Sequence, residues 1–424
     1  MASMAYSECI KSAKDFLFSM QNEDGGIKIS HKSSNQSGIW TTAESLHAIV
    51  TSDCIKMDVF TMGSIIKMID YLKTKFIVCE DKSDCGYWEI KDGDGASTMT
   101  TGHAIKALKA SLNQVLTRCN IDKISISLKE IVISEFINEI NTCIDKAVKW
   151  LQLQQQVDNG WSCTCADAKQ ESTVLATYYV LLGLNSVGKD YQDECVGRAC
   201  LYVKRTIQNV LDTKEYSQDL LADILYGYPC LYSSDYLTQS DAQLKEEIMR
   251  FIKHHWNDLK KCMKVHDMHH KTIPFINYFP YIALNALLTV EDYTYETKVR
   301  KLINYFVSQG KKDGYWSVLK EGKDGIEDST WVTAEALLVL SQAQRKYQKY
   351  YNKIVTSKRI KLLRISSIVF GLTSSVLLLY YFVTSVIHAG ADTANMWETI
   401  LSAILGALGA ITSIISIIDI VKKR

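Results

Sequence analysis

The chain has 424 residues, 22% of them charged, and a formal net charge of +1. Three prolines among scattered glycines argue against a turn-rich β fold and favour long helices. Twelve cysteines without framework spacing exclude a disulfide scaffold and fit reduced thiols in a cytoplasm.

In chain order, Met1 to Tyr6 does not resemble a signal peptide. Gln21-Asn22-Glu23-Asp24-Gly25-Gly26 closes an amphipathic stretch. Gly38-Ile39-Trp40-Thr41-Thr42-Ala43-Glu44-Ser45-Leu46 then opens an apolar one, with Thr41 and Glu44 at capping-box spacing. The same two landmarks recur. Asp84-Cys85-Gly86-Tyr87-Trp88 precedes Ser97-Thr98-Met99-Thr100-Thr101-Gly102-His103, and Gln155 to Trp161 precedes Ser172-Thr173-Val174-Leu175-Ala176-Thr177-Tyr178. Gln309 to Trp316 precedes Ser329-Thr330-Trp331-Val332-Thr333-Ala334-Glu335-Ala336-Leu337. Aligning Trp40, Met99, Val174 and Trp331 leaves a gap before the last copy that calls for a degenerate repeat within 195–290, with Tyr278 to Leu288 as its inner helix. Each Gly supports a left-handed helix end, and each Trp is placed to pack over the neighbouring repeat.

This unit of helix, Gln/Asp/Gly/Trp turn and Ser/Thr-capped apolar helix resembles the prenyltransferase and squalene-cyclase repeat family, the α/α-toroids, over roughly residues 8 to 343. The resemblance implies an all-α ring of five to six helical hairpins around a cavity. Triterpene cyclases of that family protonate their substrate with an Asp-x-Asp-Asp-Thr motif before an inner helix. The matching stretch is Gly325-Ile326-Glu327-Asp328-Ser329, with half the motif missing, so Glu327 and Asp328 are catalytic acids only if the ring is an enzyme, and helix-capping residues otherwise.

No metal site and no cofactor are expected. Cys163-Thr164-Cys165 lacks a second pair, and His254, His255, His266, His269 and His270 read as loop histidines. Asp92-Gly93-Asp94-Gly95 opens like a calcium loop but has His103 where the bidentate acid belongs, so it reads as a turn. Walker, Gly-x-Ser-x-Gly and His-Glu-x-x-His motifs are absent.

Three segments follow: a cytoplasmic ring over 1–344, a basic helical connector over 345–364, and a transmembrane helical hairpin over 365–424. In the connector Arg345, Lys346, Lys349, Lys353, Lys358 and Arg359 meet no acid. They suit anionic headgroups or a nucleotide or short oligonucleotide ligand, with Tyr347, Tyr350 and Tyr351 as stacking surfaces. Ile365 to Ile387 and Thr399 to Ile418 are uncharged and long enough to cross a hydrocarbon core of about 30 Å. Basic flanks on both, and none in the loop between, place the N-terminal domain and C-terminus on the cytoplasmic side of the inner membrane. Thr399, Ser402, Gly406, Gly409, Ser413 and Ser416 form one small, hydroxylated helical stripe, with Asp419 beyond it.

This architecture resembles bacterial anti-phage membrane effectors, the Hailong-type channel among them. The leading expectation is therefore a non-enzymatic homo-oligomeric pore lined by that stripe, gated by ligand binding to the cytoplasmic part or by a protein partner encoded alongside. The alternatives are a membrane-tethered isoprenoid cyclase or prenyltransferase-like enzyme, and a membrane-anchored scaffold.

Overall fold

The computed structural model describes residues 2–30, 36–52, 58–119, 126–163, 171–213, 217–237, 241–261, 263–266, 272–275, 277–289, 296–310, 312–317, 329–346, 380 and 384. The chain separates into two compact units, Met1–Arg345 and Lys346–Arg424. Nearly all described residues belong to the first.

That unit alternates amphipathic helices with almost wholly apolar ones. The first set is α1 (Ala2–Ser19), α3 (Val59–Thr74), α5 (Ile126–Leu153), α7 (Glu194–Thr213), α9 (Ala242–His254) and α11 (Glu296–Gln309). The second is α2 (Ile39–Thr51), α4 (Thr98–Cys119), α6 (Val174–Ser186), α8 (Gln218–Ser233), α10 (Tyr278–Thr289) and α12 (residues 330–346). Helix α9 buries only Leu244, Ile248, Met249 and Ile252, one stripe at helical period, and so forms part of an outer layer. Helix α10 is buried from Phe279 to Leu288, as a helix surrounded by others must be.

The apolar helices are neighbours in chain order, α2 with α4, α4 with α6, α6 with α8 and α8 with α10. Tyr278 and Trp331, with ring centroids 6.3 Å apart, bring α10 to α12. The Ser52 and Ser341 hydroxyls, 2.6 Å apart, bring α12 back to α2. Thr330 completes the seam, its amide donating to Ile29 O at 3.1 Å and its hydroxyl to Lys28 O at 2.6 Å. The result is a closed α/α-toroid of six helical hairpins. The gap expected to hold one degenerate repeat holds two inner helices, α8 and α10. Three short antiparallel ladders decorate the turns: β1 (Ile27–Lys28) with β2 (Ser37–Gly38), β3 (Ile77–Val78) with β4 (Gly86–Tyr87), and β5 (Met263–His266) with β6 (Thr272–Phe275).

The repeat residues each have a job. Asp24 Oδ1 accepts from Gly26 N and the Ser37 hydroxyl at 2.9 and 2.8 Å; Asp158 Oδ1 does the same for Gly160 N and Ser172 at 3.0 and 2.6 Å. Gln21 ties its own turn at Gly25 O to Ser64 O of the next outer helix, both at 3.0 Å, and Gln155 likewise ties Asn159 O to Cys195 O. The tryptophans pin backwards instead. Trp88, Trp161 and Trp316 donate their indole N–H to Leu72, Leu151 and Phe306 carbonyls, each on the outer helix just before the turn.

One threonine per repeat then sets the register of the inner helix. Thr42, Thr101, Thr177 and Thr333 accept the backbone N–H of Ile27, Trp88, Trp161 and Trp316 at 2.8 to 3.1 Å. By this measure Leu175, not Val174, is the counterpart of Trp40, Met99 and Trp331.

Among the described residues no helix is long and apolar enough to cross a membrane. Apart from Tyr380 and Thr384, the hairpin lies outside the described residues, as do the stripe from Thr399 to Asp419, the pair Glu327 and Asp328, and Lys349, Lys353, Lys358 and Arg359. Arg345 and Lys346 fall at the end of α12.

Candidate functional site

The threonine register fixes what points into the ring. Two residues before each threonine stand Trp40, Met99, Leu175 and Trp331, and all four line a cavity of about 300 Å³. Tyr179, Tyr226 and Tyr278 complete an aromatic wall, with the Tyr226 hydroxyl donating to that of Tyr278 at 2.9 Å. Lys91 is the one charged side chain among the described residues of the lining, and Asp94 lies 3.5 Å from it. It belongs to the Asp92–Gly95 turn, where Glu89 accepts from Gly93 N and Gly95 N at 2.7 and 3.1 Å.

One helical turn deeper, about 6 Å along each axis, the corresponding positions are Glu44, His103, Tyr179 and Glu335. Glu44 and Glu335 are 2% and 4% exposed. The two carboxyls are neighbours, each acting on the ionisation of the other. No formed hydrogen bond from another group reaches either Glu44 oxygen or Oε2 of Glu335. Burial pushes Glu44 well above the carboxylate range, the Glu335 charge adds to this, and the Trp40 indole and Lys106 oppose it. Burial likewise pushes Glu335 up to about 7, against Tyr281, Lys106 and Glu44. The pair therefore retains a proton at neutral pH.

Two histidines and a lysine surround it. His103 packs against Trp40, Tyr179 and His47 with centroids 5.2, 5.3 and 5.9 Å away, and neither of its ring nitrogens has a hydrogen-bond partner among the described residues. Burial, then the Lys106 charge, hold both histidines well below their usual value and hence neutral. Lys106 is lowered to about 8 by burial, against the pull of Glu335 and Glu44. A proton donor, its conjugate base and a nearby cation thus sit under an aromatic pocket whose wall, at Trp40, also acts on the acid. Such an arrangement can protonate a bound group and take a proton back.

The sequence reading missed these residues, although Glu44 and Glu335 are in register in its two strongest repeats. Glu44 is not a capping-box acid. Helix α2 begins at Ile39 after Gly38, which makes no side-chain cap, and the Thr41 hydroxyl donates to Ile27 and Gly38 carbonyls at 3.0 Å. Among the described residues no group of three or more His, Cys, Asp or Glu is placed to hold a metal ion. His255 instead pairs with Asp258 at 3.2 Å.

No protein-family model and no curated protein matches the chain. Solved structures do. A glycosidase matches with a TM-score of 0.52 at 10% identity, over 81% of this chain and 98% of its own. A glycosidase in complex with glucose gives 0.51 at 10%, over the same shares. The type II terpene cyclase MstE from Scytonema, in complex with merosterolic acid A, gives 0.45 at 13%, over 81% and 98%. The chain shares its helical ring fold with the glycosidases.

The expectation of a non-enzymatic ring regulating a membrane pore is overturned. The glycosidases that share the fold are enzymes. Physically, the centre of the ring is no inert scaffold: it keeps two carboxyls buried at the cost of their solvation, beneath an open pocket.

Proposed function

We propose that the chain is an enzyme that isomerises or cyclises an apolar, isoprenoid-type substrate by proton transfer from the Glu44–Glu335 pair. The observation that carries this reading is the pair itself, buried, raised in pKa by that burial, and one helical turn along from the residues Trp40 and Trp331 that wall a pocket with three tyrosines. The protonated carboxyl is the acid. Positive charge developing on the substrate faces aromatic rings, which attract it without offering a nucleophile. The ionised carboxyl takes a proton back, so the product keeps the substrate's mass.

Glycoside hydrolysis, which the fold also hosts, is disfavoured. Its two carboxyls flank the scissile bond at about 5 to 9.5 Å, whereas these two are neighbours that act on each other's ionisation. The described lining of the pocket, moreover, offers few polar groups for sugar hydroxyls. Substrates of the proposed kind reside in bilayers, which fits the membrane hairpin expected from the sequence over 365–424.

The test is incubation of the full chain, in lipid vesicles, with linear polyprenols and polyenes. A product of unchanged mass that disappears with Glu44→Gln and with Glu335→Gln is expected. Products that persist in both variants would overturn the assignment.

A further inference from the structure

Two cysteines face each other across the β3–β4 hairpin. Its register pairs Ile77 with Tyr87 and Val78 with Gly86. One step nearer the turn, Cys79 stands opposite Cys85, and the Cys79 amide donates to the Cys85 carbonyl oxygen at 3.0 Å. Both are thiols in this structure. Opposed residues of an antiparallel ladder put their side chains on the same face, and a hydrogen-bonded pair has Cα atoms about 5.5 Å apart. Disulfides span Cα separations of about 4.4 to 6.8 Å, so this pair can be bridged without displacing either strand. The thiols also act on each other: after burial, Cys85 is the largest influence holding the Cys79 thiol up.

The facing is held in place from outside the hairpin. Tyr87 packs on Trp150 of α5 with ring centroids 5.2 Å apart, and the Trp88 indole donates to Leu72 O of α3 at 2.7 Å. From there the strand runs on to Ile90 and Lys91 of the pocket lining. The two thiols differ in access. Cys85 is 3% exposed and Cys79 half-buried, while residues 80–84 between them are exposed.

We propose that Cys79 and Cys85 are a dithiol site for small disulfides of the glutathione type, and that its oxidation latches the β3–β4 hairpin at the root of the segment that reaches the pocket. The Cys79 thiolate attacks one sulfur of the small disulfide, forming a mixed disulfide and releasing one thiolate. The Cys85 thiolate then attacks the Cys79 sulfur and releases the second. Two S–H bonds are lost and one S–S bond forms, and the two electrons and two protons end on the two released thiols. Cys79 reacts first because it is the accessible one; Cys85 reaches only the sulfur opposite it. Burial raises both thiols, with Asp81 adding to Cys79 and Asp84 to Cys85, so exchange is slow at neutral pH and quickens in mild alkali. Such a bond forms and reverses with the redox state of its surroundings, as intracellular disulfides do.

The test uses the full chain in detergent micelles, brought to equilibrium with glutathione disulfide at about pH 8, near the ordinary thiol value, then alkylated and digested with trypsin. Cleavage after Lys75, Lys82 and Lys91 separates the two cysteines, so only a disulfide joins peptide 76–82 to peptide 83–91. The joined peptide is expected, with its loss on adding dithiothreitol and with slower amide hydrogen exchange across 77–87 in the oxidised chain. Cys85→Ser should stop at glutathione held on Cys79, and Cys79→Ser should leave Cys85 unmodified. Two unmodified cysteines in the wild-type chain would overturn the proposal, as would glutathione on Cys79 without the joined peptide. So would bridging of either cysteine to a third, glutathione on Cys85 in Cys79→Ser, or amide exchange that oxidation leaves unchanged.

Discussion

Gly102 on α4 and Gly183 on α6 let two inner helices touch backbone to backbone. A Cβ at Gly183 would lie 2.5 Å from the Gly102 carbonyl oxygen, and one at Gly102 would strike the carbonyl of Tyr179. This approach sets the His103 and Tyr179 rings 5.3 Å apart over the acid pair. Gly102→Ala and Gly183→Ala should each cost about 1 to 3 kcal/mol, because backbone cannot move aside as a side chain can. The two losses should combine to less than their sum, since both relieve one contact. Gly63 of α3, where a Cβ meets nothing within 4 Å, is the control: Gly63→Ala should gain up to about 1 kcal/mol. Urea denaturation of the three variants measures this.

The ring was legible because its repeats encode local hydrogen bonds. Gln and Asp satisfy specific backbone groups in the turns at 21–26 and 155–161, and Trp88, Trp161 and Trp316 do so through their indole N–H, so the same residue types recur. The α7–α8 hairpin escaped notice because no such turn introduces α8, whose start rests on the Ser217 cap alone. The acid pair escaped for a different reason. A glutamate three residues after a threonine, as Glu44 is after Thr41, has the same spacing whether it caps the helix or faces the interior of the ring. Only the closure of α12 onto α2 distinguishes them, by bringing Glu335 to Glu44 from the far end of the domain.

The register assignment has its own check. Thr177 is wholly buried and accepts the Trp161 amide at 3.1 Å, while Thr173 caps α6 by accepting from Ala176 N at 3.1 Å. Thr177→Val, nearly isosteric, leaves a buried N–H unpaired and should cost about 1 to 3 kcal/mol. Thr173→Val removes an N-cap and should cost about 1 kcal/mol. Thermal or urea unfolding would show the reverse order if position 173, rather than 177, held the structural role.

Closure of the ring depends on a contact between residues 289 positions apart. The Ser52 and Ser341 hydroxyls are 2% and 1% exposed. Ser52→Ala or Ser341→Ala alone strands the other hydroxyl and should cost about 1 to 3 kcal/mol. The double alanine variant strands nothing and should cost no more than the worse single change. Equal, additive losses in a double-mutant cycle would show that the two do not interact.

Stability should fall as the pH rises through neutrality, and the acid pair should be the reason. Glu44 and Glu335 have folded pKa values raised above the unfolded glutamate value of about 4.3, with Glu335 at about 7. The native state then holds a proton that the unfolded chain has released. The resulting stabilisation is complete below the unfolded value and is lost as pH climbs through the folded one. His47 and His103 act oppositely: their lowered values give stability that is present above about 6.5 and lost on acidification. The wild-type curve should therefore be domed, its alkaline limb set by the glutamates and its acid limb by the histidines. In Glu44→Gln combined with Glu335→Gln the alkaline limb should flatten, by as much as about 3 kcal/mol between pH 5 and 8, while the acid limb remains. Urea midpoints across that range decide the matter. An alkaline fall undiminished in the double variant would mean that the pair holds no proton in the folded ring.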